Sequence, residues 1–518
     1  MERFTILQKD TYVDSLASLF TMSVLMDCEG VENAYAGMAT PSSKQMMEEL
    51  GLADDAVRGA GENDFVIAVR ASGREAFEAA MAKTKKKEPD IAVQKPAFST
   101  VEEAVRANPR ANICSIAVPG EYACEVTKQA LNQGLHCIVF SSNVPLEQER
   151  EMKELAREKG LLCMGPDCGV ANINGAAFVL SSINNRGPFG ICGASGCGIQ
   201  HVAAFLHEAG SGVSQTIGTG GNDLKEQVGG ISMLMGIDAL ENDPDTEYIV
   251  LISRKPADSV LQALTARIRE CKKPVVACFM GADRAAVEAS GALWAGDLDG
   301  CAQQALSLIG KQIDFDSDEA LTAMARSAIE GMSAQQKYVR GIYCGGTYCD
   351  EVMQTMQRTI GGVYSNCPLS PELQLADSRA SVKNTVVDSG EEEFTRGRPH
   401  PTLEPSMRLP LIAKEGEDPE TAVILLDFIL TPPEHIDPAG VTLPVLTSAM
   451  EAARARGGRL AVVCSVLGTD ADLQNVSLQR QKLLDAGVYV CRSNRQAGQL
   501  AAKIIQLKKE RMKHDEYR

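Results

Sequence analysis

The sequence predicts an α/β chain: a small α+β unit of ferredoxin-like order at the N-terminus, followed by doubly wound parallel sheets. Three observations predict it. Over residues 1–88 the patterns run strand, helix, strand, helix, the start of a ferredoxin-like arrangement. From residue 92 onward, short and nearly continuous Val- and Ile-rich runs alternate with amphipathic helical patterns. Apolar strands of that kind belong to parallel sheets covered on both faces by helices. Three glycine clusters sit where a strand hands over to a helix, the place where doubly wound folds hold ligands.

In the first unit Phe4–Thr11 reads as a strand, Val13–Asp27 as an apolar helix, Asp64–Arg70 as an alternating strand and Arg74–Lys83 as an amphipathic helix. The run Lys83-Thr84-Lys85-Lys86-Lys87-Glu88-Pro89 reads as a solvated linker. Strands are then expected at Ile113–Pro119, Cys137–Ser141, Leu162–Gly165, Phe189–Gly193, Tyr248–Ser253 and Pro274–Met280, with crossover helices such as Tyr122–Gln133 and Glu147–Glu158. After a helical stretch at 318–336 the strands resume near Gly341–Cys344, Ala422–Phe428, Arg459–Val466 and Val488–Arg492. Between 361 and 421 the pattern dissolves into prolines and the charge-rich Asp388–Arg398, which predicts a long loop of the functional or mobile kind. Four units follow: 1–88, 92–185, 186–315 and 337–510, the last carrying the 361–421 loop.

A length of 518 residues accommodates about three to four domains. Hydrophobic residues at 44% and charged residues at 23% suit packed domains and exclude disorder across the whole chain. The net charge of −17 disfavours nucleic acid and anionic membrane surfaces as partners. An anionic ligand must therefore be held by local groups. The sixteen cysteines are irregularly spaced with no CxxC, which predicts reduced thiols in the cytoplasm. Met1-Glu2-Arg3-Phe4 lacks the start of a signal peptide, and no run of about 18 apolar residues predicts a membrane span. Six histidines without ligand spacing predict no metal site.

The first glycine cluster runs Gly190-Ile191-Cys192-Gly193-Ala194-Ser195-Gly196-Cys197-Gly198 into a predicted helix. The second is Gly218-Thr219-Gly220-Gly221-Asn222-Asp223, and the third, Gly345-Gly346-Thr347, opens the helical pattern Tyr348–Gln357. Glycines let backbone approach an anion closely, and a following helix offers unpaired N–H groups. None ends in the Gly-Lys-Ser/Thr of a nucleotide-phosphate loop. Gly193, Ser195, Gly196, Cys197, Gly198, Gly220, Gly221, Asn222, Gly345, Gly346 and Thr347 are the candidate anion-binding residues.

These landmarks carry a resemblance. With Glu241-Asn242-Asp243-Pro244-Asp245-Thr246-Glu247 and Lys273-Pro274-Val275-Val276, the stretch 187–310 resembles the second domain of the succinyl-CoA synthetase α-subunit. Gly165-Pro166-Asp167-Cys168-Gly169 resembles the turn that closes that family's Rossmann-like CoA-binding domain, and Gly345-Gly346-Thr347-Tyr348-Cys349-Asp350 resembles the glycine loop of the β-subunit's C-terminal domain. The resemblance implies a Rossmann-like CoA-binding-type domain followed by two flavodoxin-like doubly wound domains. The synthetases phosphorylate a histidine; the corresponding segment here is Glu288-Ala289-Ser290-Gly291-Ala292, so Ala289 stands in its place, and His201 falls where an orienting glutamate would be. No ATP-grasp region is present either. With no imidazole nucleophile at that position, ordinary ATP-dependent acyl-CoA ligation is not expected, although CoA itself remains a possible ligand.

The string Asn384-Thr385-Val386-Val387-Asp388, with Glu393-Phe394-Thr395-Arg396-Gly397-Arg398-Pro399-His400-Pro401, resembles the FdrA family over the whole chain. That resemblance implies a subunit of oxamate carbamoyltransferase in purine and allantoin degradation, with oxalurate and phosphate giving oxamate and carbamoyl phosphate. It also implies separate partner subunits, and a homodimer is the commonest oligomer. Phosphate or carbamoyl phosphate is then a substrate rather than a cofactor. Arg396, Arg398 and His400 alternate along the chain, so in extended backbone they share a face, and they are the candidate catalytic residues. His400 is the histidine expected to titrate near neutral pH. The other class of function is a ligand-binding regulatory or scaffold protein that lost ligase catalysis with its histidine, and a third alternative is an acyl-CoA ligase that uses another nucleophile.

Overall fold

The computed structural model describes residues 1–516, leaving aside 10, 12, 14, 27, 41–42, 45–46, 49, 62–63, 87–97, 396–399 and 433–434. The chain forms two units, one made of Met1–Ala97 with Glu391–Glu404, the other of Phe98–Gly390 with Pro405–Arg518.

The first unit runs β1 (Glu2–Gln8), α1 (Ser15–Met26), β2 (Val31–Met38), α2 (Asp55–Gly59), β3 (Phe65–Ala71) and α3 (Arg74–Lys86). Its sheet is antiparallel in the order β1-β3-β2, so β3 is central, and its Phe-Val-Ile-Ala-Val-Arg-Ala sequence is buried along almost its whole length. The expected α+β order holds, with β2 added. The sequence Val-Glu-Asn-Ala-Tyr-Ala-Gly-Met does not announce itself as a strand, because three small residues dilute the alternation. The short α2 begins where Asp54 accepts the Ala56 and Val57 amides, both at 2.9 Å. Of the predicted Lys83–Pro89 linker, Lys83–Lys86 end α3, and residues 87–89 lie outside the described residues.

The second unit opens with α4 (Val101–Ala107), β4 (Ile113–Ile116), α5 (Gly120–Asn132), β5 (His136–Val139), α6 (Leu146–Lys159) and β6 (Cys163–Met164), whose strands form a parallel sheet β4-β5-β6. The α6 helix stops at Gly160, which takes a left-handed φ of 66° that a side chain would resist. Next come β7 (Val170–Ile173), β8 (Ala176–Val179), β9 (Arg186–Gly193), α7 (Gly196–Glu208), β10 (Val213–Gly218), α8 (Ile231–Asn242), β11 (Tyr248–Arg254), α9 (Asp258–Glu270), β12 (Val275–Met280), α10 (Arg284–Glu288), β13 (Leu293–Trp294), α11 (Leu298–Ser307) and α12 (Asp318–Ile329). They build a seven-stranded sheet, β13-β12-β11-β9-β10-β7-β8, parallel except for the β7–β8 hairpin and its antiparallel pairing with β10.

The chain ends with β14 (Tyr338–Tyr343), α13 (Gly346–Ile360), β15 (Thr385–Asp388), α14 (Leu409–Glu417), β16 (Thr421–Ile429), α15 (Pro438–Ala455), β17 (Ala461–Leu467), α16 (Val476–Asp485), β18 (Tyr489–Cys491) and α17 (Asn494–Glu516). The sheet is parallel, ordered β15-β14-β16-β17-β18. Every residue of β16, Thr-Ala-Val-Ile-Leu-Leu-Asp-Phe-Ile, is buried, as a central parallel strand requires. One apolar cluster joins this sheet to the seven-stranded one: Ile199, Val202 and Phe205 of α7 share it with Tyr348, Val352 and Met356 of α13.

The doubly wound α/β reading therefore holds, with corrections. Residues 361–421, expected as loop, contain β15, a helical turn at Glu392–Thr395 and α14. The four residues of β15 are too few to show a period, yet all are buried beside β14. Strand β10 reads Val-Ser-Gln-Thr-Ile-Gly, too polar for a buried strand on its face, and is nevertheless buried throughout. Ser214 bonds Thr246 at 2.6 Å and Gln215 bonds Asn174 at 2.8 Å, so tertiary partners offset the polarity. Among the described residues no helix is long and apolar enough to cross a membrane.

Candidate functional site

Parallel strands deliver their following loops to one edge of a sheet, and helix N-termini collect there. Strand β9 ends at Gly193, and Ser195 caps α7 by accepting the Gly198 amide at 2.9 Å. A Cβ at Gly198 would lie 2.7 Å from Ile252 Cγ2, so only glycine lets α7 settle this closely onto β11. Strand β14 delivers Gly345 as the cap of α13. A Cβ at Gly345 would sit 2.8 Å from Cys197 Sγ, so the two helix starts abut. Ser195 Oγ donates to Thr347 Oγ1 at 2.8 Å, and both residues are buried. The first and third glycine clusters are thus brought together.

Two helix N-termini meeting concentrate unpaired N–H groups and two positive dipole ends in one place. The chain balances part of this itself. Asp427 of β16 accepts the Cys344 amide at 3.0 Å and the Gly345 amide at 2.9 Å, and Arg408 Nη1 sits 3.0 Å from the same carboxylate. Both members of that ion pair are buried. Beside the third cluster, a Cβ at Gly346 would lie 2.8 Å from Asp388 Oδ2 and 2.9 Å from Arg254 Nη2. Arg254 ends β11, half exposed, and its Nε sits 2.6 Å from Asp350 Oδ2. The place therefore combines the amides of two helix starts, two hydroxyls and one accessible guanidinium, a donor set suited to an oxyanion.

A buried polar network ties the two helices together. His201 Nδ1 is 2.8 Å from the Tyr348 hydroxyl, and its Nε2 is 3.1 Å from Asp299 Oδ1. Ser493 Oγ donates to Asp299 Oδ2 at 2.7 Å, and Asn494 Nδ2 donates to Glu351 Oε2 at 2.8 Å. Burial, with Asp299 nearby, pushes the Glu351 carboxyl up to about 7. His201, which falls where the synthetases' orienting glutamate would be, is the crosspiece of this network.

The second glycine cluster has different company. Gly218 pairs with Gly193 across β10 and β9, which places it beside the first cluster. Gly220, at φ 84°, faces backbone: a Cβ there would be 2.0 Å from Pro166 O. Asp223 receives Lys153 Nζ at 2.8 Å and the Ser232 and Met233 amides at the start of α8. Lys153 also donates to Glu149 at 2.7 Å, and all three charged side chains are buried. This cluster joins the β4-β5-β6 layer to the next and does not open a helix directly, since α8 begins at Ile231.

Arg396 and Arg398 lie outside the described residues. His400 is described, in the first unit, with Nδ1 2.8 Å from Thr402 Oγ1. Burial pushes its imidazole down to about 4, so the expectation of a histidine titrating near neutrality is corrected: it is neutral there. Cys168, Cys344 and Cys349 are buried, and burial pushes the Cys168 thiol up to about 12, which suits packing rather than nucleophilic roles. Reasoning from the sequence missed Arg254, Arg408 and Asp427. The signals were a charge closing an apolar strand, Tyr248–Arg254, and a lone carboxylate inside the apolar run of β16.

Comparison with known proteins agrees with this layout. A family model described as "AllF, heavy metal-associated domain" matches residues 1–98, and one described as "CoA-ligase" matches residues 342–504. The α-subunit of the ADP-forming succinate–CoA ligase of Aquifex aeolicus is 30% identical over 192 residues, 36% of this chain and 61% of that one. The malate–CoA ligase α-subunit of Methylorubrum extorquens is 27% identical, over 36% of this chain and 64% of that one. The chain spans under two thirds of these two ligase subunits. The uncharacterized protein YahF of Escherichia coli is 39% identical over 504 residues, 96% of this chain and 98% of that one. With a match of that extent, the chain belongs to the succinyl-CoA synthetase-like family that includes YahF.

Proposed function

We propose that the chain is a subunit of a phosphate-dependent carbamoyltransferase, with oxalurate and phosphate giving oxamate and carbamoyl phosphate. The observation that carries the reading is the pair of abutting helix starts, Ser195–Gly198 and Gly345–Thr347, with Arg254 beside Gly346. In the synthetases a histidine accepts the phosphoryl group; here Ala289 occupies that position at the end of α10, and an anion site without an imidazole suits free phosphate. A phosphate oxygen attacks the ureido carbonyl, the carbon–nitrogen bond to oxamate breaks, and the leaving nitrogen takes up a proton. Such a reaction requires alignment of the two anions and stabilisation of developing charge, which fixed amides and a guanidinium supply. The hydroxyls of Ser195 and Thr347 exchange their mutual hydrogen bond for bonds to the anion.

The AllF description of the first 98 residues and the FdrA resemblance support a place in allantoin degradation. The residues proposed for the second anion are Arg396, Arg398 and His400, on the strength of their alternating sequence pattern alone. The enzyme works as an oligomer with separate partner subunits. An acyl-CoA ligase activity is the second reading, favoured by the CoA-ligase match over residues 342–504. One experiment separates them. The purified chain, alone and with the products of neighbouring genes, is assayed for oxalurate cleavage that requires phosphate, and for acyl-CoA formation that requires ATP and CoA. Carbamoyl phosphate formed only in the presence of phosphate supports the first reading. Acyl-CoA formation without it supports the second.

A further inference from the structure

A separate pocket opens along the carboxyl edge of the five-stranded sheet, lined by the later turns of α7, the end of β17, Arg480 of α16 and the residues leading into α17. Two guanidiniums, Arg480 and Arg492, and one carboxylate, Glu208, line it, and Asn494 Oδ1 is buried without a partner. Arg480 Nη2 donates to Val466 O at 3.1 Å, while its Nε is buried without a partner. The Ser465 hydroxyl, on a residue 3% exposed, is likewise buried without a partner. Arg492 lies across the Phe205 ring at 5.5 Å and pairs with Glu208, which is itself half in solvent. Ser493 caps the 23-residue α17 through the Gln496 amide at 3.2 Å, so a positive helix end adds to the two guanidiniums. Burial, and then the neighbouring Arg492, push the Arg480 guanidinium below its ordinary value, and Glu208 and Asp470 oppose this only in part. The pocket thus holds more positive charge than its own carboxylates balance.

We propose that this pocket binds a small anion, an inorganic oxyanion or the carboxylate of a small acid. Arg480 and Arg492 hold it, with the Ser465 hydroxyl and the first turn of α17 as further donors. Its Arg492–Glu208 end lies away from the paired helix starts, because Glu208 is thirteen residues beyond Ser195 on α7, about 20 Å along the axis. It touches both helices of that site, since His201 of α7 and Tyr348 of α13 line it and bond each other at 2.8 Å. An anion here would bind to the assembled sheets and not to the unfolded chain, so it stabilises the arrangement that presents the helix starts.

The test uses the full chain. Crystals soaked in sodium bromide are expected to show anomalous density within hydrogen-bonding distance of Arg480 and Arg492. Melting curves are recorded against inorganic phosphate and, separately, oxalate. The ion that half-saturates at lower concentration identifies the source. In Arg480→Gln or Arg492→Gln that half-saturation concentration should rise about tenfold or more, the scale of one charged hydrogen bond. Thr347→Val separates the two sites. A melting response lost in Thr347→Val but intact in both arginine variants assigns the anion to the helix starts and overturns the pocket. A response lost in the arginine variants but intact in Thr347→Val supports the pocket and removes phosphate from the helix starts. Bromide density absent at the pocket, with unchanged titrations in both arginine variants, overturns the proposal whether or not either variant folds poorly.

Discussion

Ser195 and Thr347, 152 residues apart in sequence, meet through a 2.8 Å hydrogen bond between their hydroxyls. Each belongs to the start of a helix, one from the seven-stranded sheet and one from the five-stranded sheet. The bond is therefore a point at which the helix starts of two doubly wound layers meet.

That bond should be measurable as a coupling. Ser195→Ala removes the cap of α7 and is expected to cost about 1 kcal/mol. Thr347→Val leaves the buried Ser195 hydroxyl without its acceptor, a loss of roughly 1–3 kcal/mol. The double variant should cost less than the two losses added, by at least about 0.5 kcal/mol, in urea unfolding. Strict additivity would mean that the two helix starts do not interact.

The Arg408–Asp427 pair sets the shape of the third glycine loop, because Asp427 holds both the Cys344 and Gly345 amides. Replacing Arg408 with Met leaves a buried carboxylate uncompensated and should cost about 3–5 kcal/mol. Replacing both, as Arg408→Met with Asp427→Asn, should recover part of that stability. Phosphate-dependent stabilisation should still fall, because a neutral amide oxygen holds the loop N–H groups more weakly than a carboxylate does. A double variant as unstable as the single one would argue against the charge imbalance as the cause.

Gly220→Ala tests the second cluster. Its left-handed φ of 84° and a Cβ placed 2.0 Å from Pro166 O are both intolerable to alanine. The cost should well exceed the roughly 1 kcal/mol of a left-handed residue alone, since backbone must move. Gly221, where a Cβ meets nothing within 4 Å, is the control and should accept alanine with a small change in melting temperature.

Much of the fold is legible in the sequence, because buried parallel strands write themselves as apolar runs: β11, β12, β16 and β17 fall within a few residues of their expected positions. Strands β10 and β15 do not, the first because Ser214 and Gln215 are polar until their partners are known, the second because four residues carry no period. The helix starts were legible as glycine clusters. That the first and third clusters touch was not, since adjacency between separate sheets leaves no local pattern. The same holds for His201, whose role depends on Asp299 and Tyr348, both distant in sequence.

Ala289 in place of an imidazole leads to a negative expectation. Incubation with labelled ATP and CoA should leave no acid-labile, alkali-stable phosphate on the chain. His201 is 1% exposed between Asp299 and Tyr348, so it cannot take over as nucleophile without unpacking both helices. Stable label on any histidine would refute the reading, and mapping it would identify the replacement.

Glu351 leads to a dependence on pH. Its carboxyl is raised to about 7 in the folded chain from an ordinary value of 4.5, so the folded state holds the proton more tightly than the unfolded state does. Between those two values the folded chain binds more protons, and stability from this group falls as pH rises. It is fully present below about 4.5 and lost by the time pH passes about 7. The loss amounts to roughly 3 kcal/mol at most, because a tenfold change in proton affinity is worth about 1.4 kcal/mol. Gln at this position cannot ionise and keeps an oxygen to accept from Asn494, so the pH-dependent part should vanish. Wild-type and Glu351→Gln melting temperatures, measured from pH 4.5 to 8, should therefore converge toward the basic end if the variant starts below the wild type, or diverge in its favour if it starts level. Parallel curves across that window would show that Glu351 does not titrate between pH 4.5 and 8 in the folded chain.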